Sequence, residues 1–288
     1  MNYRHAYHAG NHGDVLKHAV LARALAHLTR KDKPLVYVDA QAGTGLYGLE
    51  SAEALKTLEW QSGLGTLYGV AGEALPLDAD AEVVLAPWRN VVLAANPVRG
   101  RPLDVYPGSP GFAAHLLRGG DRLILNELHP ADFAALSARY AGDRRARVTE
   151  SDANIAVKAA LPPAERRGLI LIDPPYEQPG EHERAIQALC DGVKRFATGV
   201  FMLWFPVTGD GLSEQVIAAL RDTGIAKMML AVLHVRHPKP DGGLAGSGLA
   251  IVNPPWPLAE ELGVLGPALR DRLAQDEGAR WTLEASGL

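Results

Sequence analysis

The chain has 288 residues, of which 47% are hydrophobic and 22% charged, and its formal net charge is −4. These values predict a globular protein with one large core and exclude a surface that is basic throughout. No apolar run approaches the roughly 18 residues that a membrane span needs, and no signal region follows Met1, so we expect a cytoplasmic protein. The single cysteine, Cys190, excludes an intramolecular disulfide and a cysteine-rich metal site.

The predicted elements alternate between helix and strand along most of the chain. The first helix follows Asn11-His12-Gly13-Asp14 and ends near Thr29, because aliphatic side chains recur at helical spacing between Leu16 and Leu28. Seven strands are predicted at residues 35–39, 122–128, 146–149, 168–173, 199–205, 227–234 and 248–252. Helices are predicted between most of them, at residues 111–118, 130–140, 153–160, 181–196 and 213–221. Several strands are continuous apolar runs, which is typical of a sheet covered by helices on both faces.

This alternation predicts an α/β fold with a doubly wound, mostly parallel sheet of seven strands, in a single domain over residues 1–288. More than 80 residues separate the first two strands, whereas a plain strand–helix–strand unit needs roughly 30. We therefore interpret residues 50–104, which are rich in Ala, Leu and Glu, as a small inserted helical subdomain. The last two strands are expected to form an antiparallel hairpin at the C-terminal edge of the sheet, followed by a final helix from Leu258 onward.

A glycine-rich loop follows the first predicted strand. Gly43, Gly45 and Gly48 satisfy the G-x-G-x-x-G pattern, in which glycines permit a tight turn and a close approach of a ligand to the backbone. The pattern alone is weak evidence, since turns between a strand and a helix often carry glycines for packing. A nicotinamide dinucleotide would also require an acidic residue at the end of the second strand, about 20 residues further on. The acids at that distance lie in a predicted helical stretch, which disfavours this cofactor.

Three acidic residues instead favour S-adenosylmethionine as the cofactor. Asp39 ends the first strand, Glu127 ends the second, and Asp152 follows the third. The carboxyl ends of such strands face one crevice, where ligands bind. There Glu127 would accept hydrogen bonds from the ribose hydroxyls, and Asp152 from the adenine amino group. Each acid alone is also compatible with a helix cap or a loop, but together the three predict a cofactor site.

The tetrapeptide Asp173-Pro174-Pro175-Tyr176 follows the fourth apolar strand and is the predicted catalytic centre. The lone pair of adenine N6 is delocalised into the ring, which makes this nitrogen a poor nucleophile. A carboxylate and a main-chain carbonyl, held by two prolines of fixed φ, would aim the amino group at the methyl donor. Tyr176 would offer a face to a base that leaves its stack. We therefore predict methylation of an exocyclic adenine nitrogen without a metal, since no His or Cys cluster has ligand spacing.

A second tetrapeptide, Asn253-Pro254-Pro255-Trp256, fits the same loose pattern. It follows the last predicted strand, which we place at the sheet edge, far from the glycine loop. The strand before Asp173 lies beside the first strand in the usual winding. We therefore assign catalysis to Asp173 and interpret the second tetrapeptide as structural or as part of a rim.

Five segments carry longer and more specific patterns: residues 3–18, 106–110, 127–130, 166–177 and 194–199. In these segments the chain resembles the bacterial 23S rRNA (adenine(2030)-N6)-methyltransferases of the RlmJ family. The similarity runs in matching order from residue 3 to about residue 257, with the helical insertion in the expected place. The N-terminal block, which ends in Leu16-Lys17-His18, is its most specific part, whereas many methyltransferases share the glycine loop.

The resemblance implies a Rossmann-like class I methyltransferase that modifies one adenine of 23S rRNA, which we expect to be free or in early assembly. We expect the enzyme to be a monomer with no membrane partner. Adding the loop residues to those that the family's motifs supply, the expected cofactor contacts are Lys17, His18, Asp39, Gln41, Gly43, Gly45, Ser109, Glu127, Asp152, Ala153 and Asp173. Tyr3 and His5 are expected to meet the substrate. The family usually has His at position 41 and Gly at position 153. Gln41 changes a side-chain contact with the cofactor, whereas Ala153 is compatible with a main-chain contact.

From the residues alone, two of these positions have a plainer interpretation. Ser109 before Pro110 is typical of a helix start, with Ser as the N-cap and Pro at the first position. His18 on a helix would ordinarily be a half-buried histidine with satisfied hydrogen bonds.

Several other functions stay open at this point. DNA adenine methylation is one, although DNA enzymes of this type usually add a larger recognition region. Methylation of a glutamine amide is another, although those enzymes usually have Asn in place of Asp173. A third is an RNA-binding protein with an inactive cofactor pocket, against which the intact Asp173, Tyr176 and Glu127 argue. A nicotinamide oxidoreductase comes last.

Overall fold

The computed structural model describes residues 4–240 and 243–287. Its strands are β1 Val36–Asp39, β2 Leu46–Gly48, β3 Val105–Pro107, β4 Arg122–Asn126, β5 Ala146–Thr149, β6 Gly168–Ile172, β7 Val200–Val207, β8 Met228–His234, β9 Gly246–Val252 and β10 Arg280–Ser286. Its helices are α1 His12–Leu28, α2 Ala52–Thr57, α3 Ala79–Ala95, α4 Ser109–Leu116, α5 Pro130–Tyr140, α6 Ala153–Ala160, α7 Glu181–Arg195, α8 Leu212–Asp222 and α9 Leu258–Leu273. Within the described ranges, none of the helices combines the length and the apolar character that crossing a membrane requires.

Eight of the strands form one sheet in the order β10-β8-β9-β7-β6-β1-β4-β5. The five strands from β7 to β5 run parallel, whereas β9 is antiparallel to both β7 and β8. Two apolar cores cover the two faces of this sheet, as the continuous apolar runs predict. The predicted α/β fold with a mostly parallel sheet is confirmed, with eight strands instead of seven.

The C-terminal region differs from its prediction in two ways. The final helix, α9, ends at Leu273 and is followed by β10, which pairs with β8 at the sheet edge. Sequence patterns missed this strand because most of its side chains are exposed and carry little hydrophobic signal. Its Trp281 packs on Gly266 of α9, where a Cβ would lie 2.0 Å from the indole ring. The predicted antiparallel pair, β8 and β9, is present, but β9 lies inside the sheet between β7 and β8.

Helix α1 is buried around nearly its whole circumference and contacts α3, α4 and β9. Its N-cap, Asn11, accepts a hydrogen bond from the amide of Asp14. The buried side chains of α1 include Asp14, Lys17 and His18 as well as aliphatic residues. Buried charges are costly unless they are paired, so this helix is expected to carry them for a specific purpose.

The glycine loop after β1 leads into the short strand β2 instead of a helix. Strand β2 pairs antiparallel with β3, and α2 and α3 lie between them in the chain. Helix α4 then starts at Ser109 and contacts β1, in the position that a helix directly after the glycine loop would take. Trp88 of α3 is fully buried in the same core as α1. The division of residues 50–104 into a separate subdomain stays a prediction.

Candidate active site

A cleft of about 440 Å³ lies at the carboxyl ends of the parallel strands. Its wall combines Lys17 of α1, Gln41 after β1, Glu127 after β4, Asp173 after β6 and Trp204 of β7. In open α/β sheets, ligands bind outside the carboxyl ends of the strands. The crevice expected from the sequence is therefore present, and α1 covers it from the side.

All four residues of the Asp173 turn (residues 173–176) line this cleft. Tyr176 has a φ of +58°, in the left-handed region that non-glycine residues rarely adopt. Its hydroxyl donates a hydrogen bond to the carbonyl oxygen of Trp204 at 2.7 Å, and its ring meets the Trp204 ring edge to face. Burial raises the pKa of Tyr176 well above its ordinary value, so the phenol stays protonated. Tyr176 is thus anchored in the cleft wall.

Lys17 links α1 to the Asp173 turn. Its Nζ lies 2.5 Å from Oδ2 of Asp173 and 2.9 Å from Oδ1 of Asp14, and only 4% of the residue is exposed. Burial alone would lower the pKa of Lys17, but the two carboxylates outweigh it and raise that pKa above its ordinary value. The ammonium also lies over the Trp204 ring, 5.6 Å from its centroid. Lys17 is therefore a permanent cation beside the predicted catalytic carboxylate.

Asp14 is a central acceptor that the sequence prediction did not include. Its Oδ2 accepts a hydrogen bond from the amide of Gly10 and faces Nε2 of His5, both at 2.9 Å. Burial would raise the pKa of Asp14, but His5 and Lys17 hold it well below its ordinary value. Two sequence signals could have identified Asp14: its position one turn before Lys17 and its place in the N-terminal block of residues 3–18.

The glycine loop positions the carboxylates of two strands. Gln41 accepts, through Oε1, a hydrogen bond from the amide of Asp173 at 3.0 Å, so its side chain supports the Asp173 turn. The amide of Gly43 donates to Oε2 of Glu127 at 2.8 Å, and the amide of His129 donates to Oε1. Burial raises the pKa of Glu127, although these amide hydrogen bonds partly offset it. Gly43 has a φ of +59°, and a Cβ there would lie 2.0 Å from the hydroxyl of Tyr47, so no other residue fits.

Two residues that we expected to touch the cofactor lie behind the cleft wall. The carboxylate of Asp39 is fully buried and accepts a hydrogen bond from the Tyr37 hydroxyl at 2.6 Å, and burial raises its pKa to about 6. Gly45 packs against Tyr140, and its carbonyl oxygen accepts a hydrogen bond from the amide of Gly108. Neither is among the described residues that line the cleft. Gly45 therefore helps to fix the loop backbone from the core side, whereas Asp39 bonds to Tyr37 within the core.

Four further predicted contacts reach the cleft. Asp152 caps α6, since its Oδ1 accepts from the amide of Asn154 at 2.8 Å, and Ala153 follows it in the wall. Ser109 also lines the cleft, but the N-cap of α4 is Gly108, so Ser109 is the first helical residue and not the predicted cap. His18 lines the cleft and is fully buried instead of half-buried.

The N-terminal segment and the chain between β2 and β3 close the outer part of the cleft. His5 lines it and packs against the Tyr47 ring, whereas Tyr3 lies outside the described residues. Glu59 lies 2.9 Å from Nδ1 of His8 and accepts a hydrogen bond from Nδ2 of Asn11 at 3.0 Å. These three rim residues were not predicted, because their proximity depends on how the chain around Glu59 packs on α1.

The Asn253 turn (residues 253–256) lies at the opposite end of the sheet. Strand β9 runs antiparallel to its neighbours, so its carboxyl end points away from the cleft. Nδ2 of Asn253 donates to the carbonyl oxygens of Ala197 and Gly199, both at 2.8 Å, and Trp256 is 87% exposed. The structural interpretation of this turn is confirmed, but our reason was wrong: strand direction, not an edge position, separates it from the cleft.

Among residues 4–240 and 243–287, no group of three or more His, Cys, Asp and Glu side chains could hold a metal ion.

Comparisons with known proteins agree along nearly the whole chain. A family model described as "Ribosomal RNA large subunit methyltransferase D, RlmJ" matches residues 32–284. The Haemophilus influenzae protein named "Ribosomal RNA large subunit methyltransferase J" is 39% identical over 284 residues, covering 99% of this chain and 98% of that protein. The Escherichia coli protein of the same name is 41% identical over 273 residues, covering 95% and 94%. The crystal structure of protein LPL1258 from Legionella pneumophila, 32% identical, covers 97% of this chain and 98% of its own with a TM-score of 0.84. The chain therefore belongs to the RlmJ family of ribosomal RNA large subunit methyltransferases.

Proposed function

We propose that this protein transfers a methyl group from S-adenosylmethionine to N6 of one adenine in 23S rRNA. The observation that carries the proposal is the Asp173 turn, which opens into the cleft with its carboxylate paired to Lys17 and its amide bonded to Gln41. The names of the Haemophilus influenzae and Escherichia coli relatives, both ribosomal RNA large subunit methyltransferases, support the substrate class.

The charge of the cleft suits a cationic cofactor. The described residues that line it include one lysine, Lys17, and eight carboxylates: Asp14, Glu59, Glu127, Asp132, Asp152, Asp173, Glu181 and Asp210. S-adenosylmethionine carries a sulfonium and an ammonium group, and the sulfonium supplies an activated methyl group. Each oxygen of Glu127 already accepts one amide hydrogen, which leaves a lone pair on each for a ribose hydroxyl. Asp152 and Ala153 would then meet the adenine end, with His18 and Ser109 nearer the amino-acid end.

Asp173 would orient the target nitrogen. Its Oδ2 is occupied by Lys17, so Oδ1 is the oxygen available to accept a hydrogen bond from the amino group of adenine. Gln41 holds the backbone of Asp173, and the two prolines fix the direction of the carbonyl groups that follow. This geometry would turn the N6 lone pair out of the ring plane and toward the methyl donor, so catalysis would come chiefly from positioning.

Lys17 would act through charge and not as a base. Its two carboxylate neighbours keep it protonated, as the raised pKa indicates, so it cannot take the proton that N6 loses. That proton would leave to water once the bond from the methyl group to sulfur has broken and the bond to N6 has formed. Its role in this proposal is to fix Asp173 and to limit the negative charge that meets the base. The aromatic wall of Tyr176 and Trp204 would provide the apolar contact for a base taken out of its stack.

A methyl-transfer assay with competing substrates tests the proposal. Labelled S-adenosylmethionine is offered with naked 23S rRNA, assembled large subunits, DNA and protein. We expect label in naked 23S rRNA, at N6 of one adenine. Asp173→Ala should lower the rate at least about 100-fold, because the amino group loses its orientation. The control Asp271→Ala removes an exposed carboxylate on α9 and should keep the wild-type rate.

Three results would contradict the proposal, and a fourth would correct the expected assembly stage. Preferential labelling of DNA or protein would show that 23S rRNA is not the substrate. Label at an atom other than N6 would show that the enzyme catalyses a different methylation. An unchanged rate in Asp173→Ala would remove Asp173 from the chemistry. Labelling of assembled subunits in preference to naked RNA would overturn the expected assembly stage.

A further inference from the structure

The His18 ring is held on three sides within the cleft wall. It stacks on the Phe112 ring with a centroid distance of 4.9 Å, and only 1% of the residue is exposed. Nδ1 lies 3.0 Å from the hydroxyl oxygen of Tyr106, and Nε2 lies 4.0 Å from Oδ1 of Asp14. Burial lowers the pKa of His18 well below its ordinary value, so the ring is neutral at pH 7. One ring nitrogen therefore carries a hydrogen and the other a lone pair.

The Tyr106 hydroxyl is itself oriented by Trp88 of α3. Nε1 of Trp88 lies 3.2 Å from this oxygen, and an indole nitrogen can only donate. The hydrogen of the Tyr106 hydroxyl therefore has two acceptors within reach, Nδ1 of His18 at 3.0 Å and the carbonyl oxygen of Asp14 at 3.4 Å. That carbonyl lies in α1, where the amide of His18, four residues on, is its regular helical donor. The contact with Nδ1 is the shorter one, and the Asp14 carbonyl already accepts its helical hydrogen bond, so both observations favour donation to Nδ1.

We propose that Tyr106, oriented by Trp88, fixes His18 in the tautomer that carries its hydrogen on Nε2. Tyr106 and Trp88 are then positioning residues for the cofactor site, and neither is a catalytic residue. In this tautomer His18 offers an N–H donor to an acceptor oxygen of the bound cofactor. Oδ1 of Asp14, at 4.0 Å, is beyond hydrogen-bond distance and does not compete for this hydrogen. The part of this inference that concerns the cofactor depends on the proposed function, whereas the tautomer itself does not.

Helix α3 does not line the cleft, but through Trp88 it would help to position a residue that does. Trp88 is fully buried and packs in the same core as Tyr106 and α1. Its indole hydrogen occupies one lone pair of the Tyr106 oxygen, which restricts the directions left for the phenol hydrogen. A chain of three groups thus connects α3 to the cofactor site: Trp88, Tyr106 and His18.

Ring-nitrogen NMR of the ligand-free protein tests the tautomer directly. Long-range ¹H–¹⁵N correlation spectra distinguish a pyrrole-type from a pyridine-type nitrogen, and comparison with His18→Gln identifies the His18 signals. We expect a single tautomer with the hydrogen on Nε2 in the wild type, and a mixture in Tyr106→Phe. Isothermal titration with S-adenosylhomocysteine should show binding that is about tenfold weaker in Tyr106→Phe, the loss expected for one misdirected hydrogen bond.

Tyr68→Phe is the matched control, since it removes a hydroxyl from the same core next to Trp88. It should leave both the His18 signals and the affinity unchanged. Trp88→Phe removes the indole donor and keeps Tyr106, so it should also broaden the tautomer distribution. If Tyr106→Phe fails to fold, the wild-type spectrum and Trp88→Phe decide the question.

A hydrogen on Nδ1 in the wild type would overturn the inference, whatever the enzyme's activity. An unchanged tautomer and affinity in folded Tyr106→Phe would remove Tyr106 from the positioning role. If the wild type has the expected tautomer but transfers no methyl group to RNA, the proposed function is wrong and the inference about the tautomer stands.

Discussion

The chain contains two turns of similar sequence, of which one lines the cleft and the other supports the fold. The Asp173 turn follows the parallel strand β6, and all its residues line the cleft. The Asn253 turn follows the antiparallel strand β9, and its Asn side chain holds the carbonyl oxygens of Ala197 and Gly199 at the other end of the sheet. A Pro-Pro-aromatic sequence therefore carries no chemistry by itself. The direction of the preceding strand decides whether it meets a ligand or supports the fold.

The largest expected effect is that of replacing Lys17, the cation beside the Asp173 turn, compared with replacing a lysine beside the Asn253 turn. Lys17→Met removes the ammonium that pairs with both the buried carboxylate of Asp14 and the half-buried carboxylate of Asp173. We expect the free energy of unfolding in urea to fall by about 3–5 kcal/mol, and methyl transfer to fall at least about 100-fold. Lys227→Met changes an exposed lysine whose carbonyl accepts from Asn253, and it should alter neither quantity. If the two variants change the free energy of unfolding and the methyl-transfer rate equally, the two turns do not differ in function as we propose.

Sensitivity to acid should also be concentrated near the cleft. His12, in the first turn of α1, has its pKa lowered to about 4, chiefly by burial. The unfolded chain binds this proton near pH 6.5 and the folded chain only near pH 4, so stability is lost as the pH falls through that window. The loss attributable to His12 is about 3 kcal/mol. Thermal unfolding between pH 7 and pH 4 should show a weaker pH dependence in His12→Gln than in the wild type.

His115→Gln is the control for this pH dependence, since His115 is an exposed residue in the last turn of α4. It should reproduce the wild-type curve. The prediction is wrong if His12→Gln and His115→Gln respond to acid in the same way.

Removing the amide of the Asn253 turn should affect folding and leave the chemistry intact. Asn253→Ala loses two hydrogen bonds to backbone carbonyls and places Ala at a φ of +52°. We expect the free energy of unfolding to fall by about 1–3 kcal/mol, with an unchanged rate of methyl transfer per folded molecule. Asn253→Gly, which removes the same hydrogen bonds without the backbone strain, should fall between Ala and the wild type. A rate loss in Asn253→Ala that exceeds its loss of folded protein would connect this turn to the site.

Strands and helices of the sheet were predictable because each depends on local patterns. The seven apolar segments, and the end of β6 at the Asp173 turn, follow from the sequence alone. The place of β9 inside the sheet was not predictable, because local patterns do not show that β8 leaves a gap beside β7 that β9 fills. The Asn253 turn was correctly predicted to be structural, but the prediction placed the preceding strand at the sheet edge, where it does not lie.

The buried polar contacts of α1 were the least predictable part of the site. The sequence identified Lys17 and His18 only through the resemblance, and it did not identify Asp14 as their shared neighbour. Helical periodicity carries no information about which side chains of other elements pack against a buried face. The hydrogen bond from the amide of Asp173 to Gln41 likewise joins groups that are 132 residues apart in the chain.

The pairing of β2 with β3 has an evolutionary consequence. Leu46 lies opposite Pro107, so the roughly 60 residues between them leave and re-enter the fold at almost the same point, about 5 Å apart. Insertions whose ends meet in this way can change in length or be exchanged between lineages without moving the strands that flank them. Besides the contacts of Glu59 at the rim, such an exchange would have to preserve the indole N–H of Trp88, because it reaches Tyr106 and, through it, His18 in the cleft wall. That hydrogen bond sets a limit on how freely the segment between β2 and β3 can diverge.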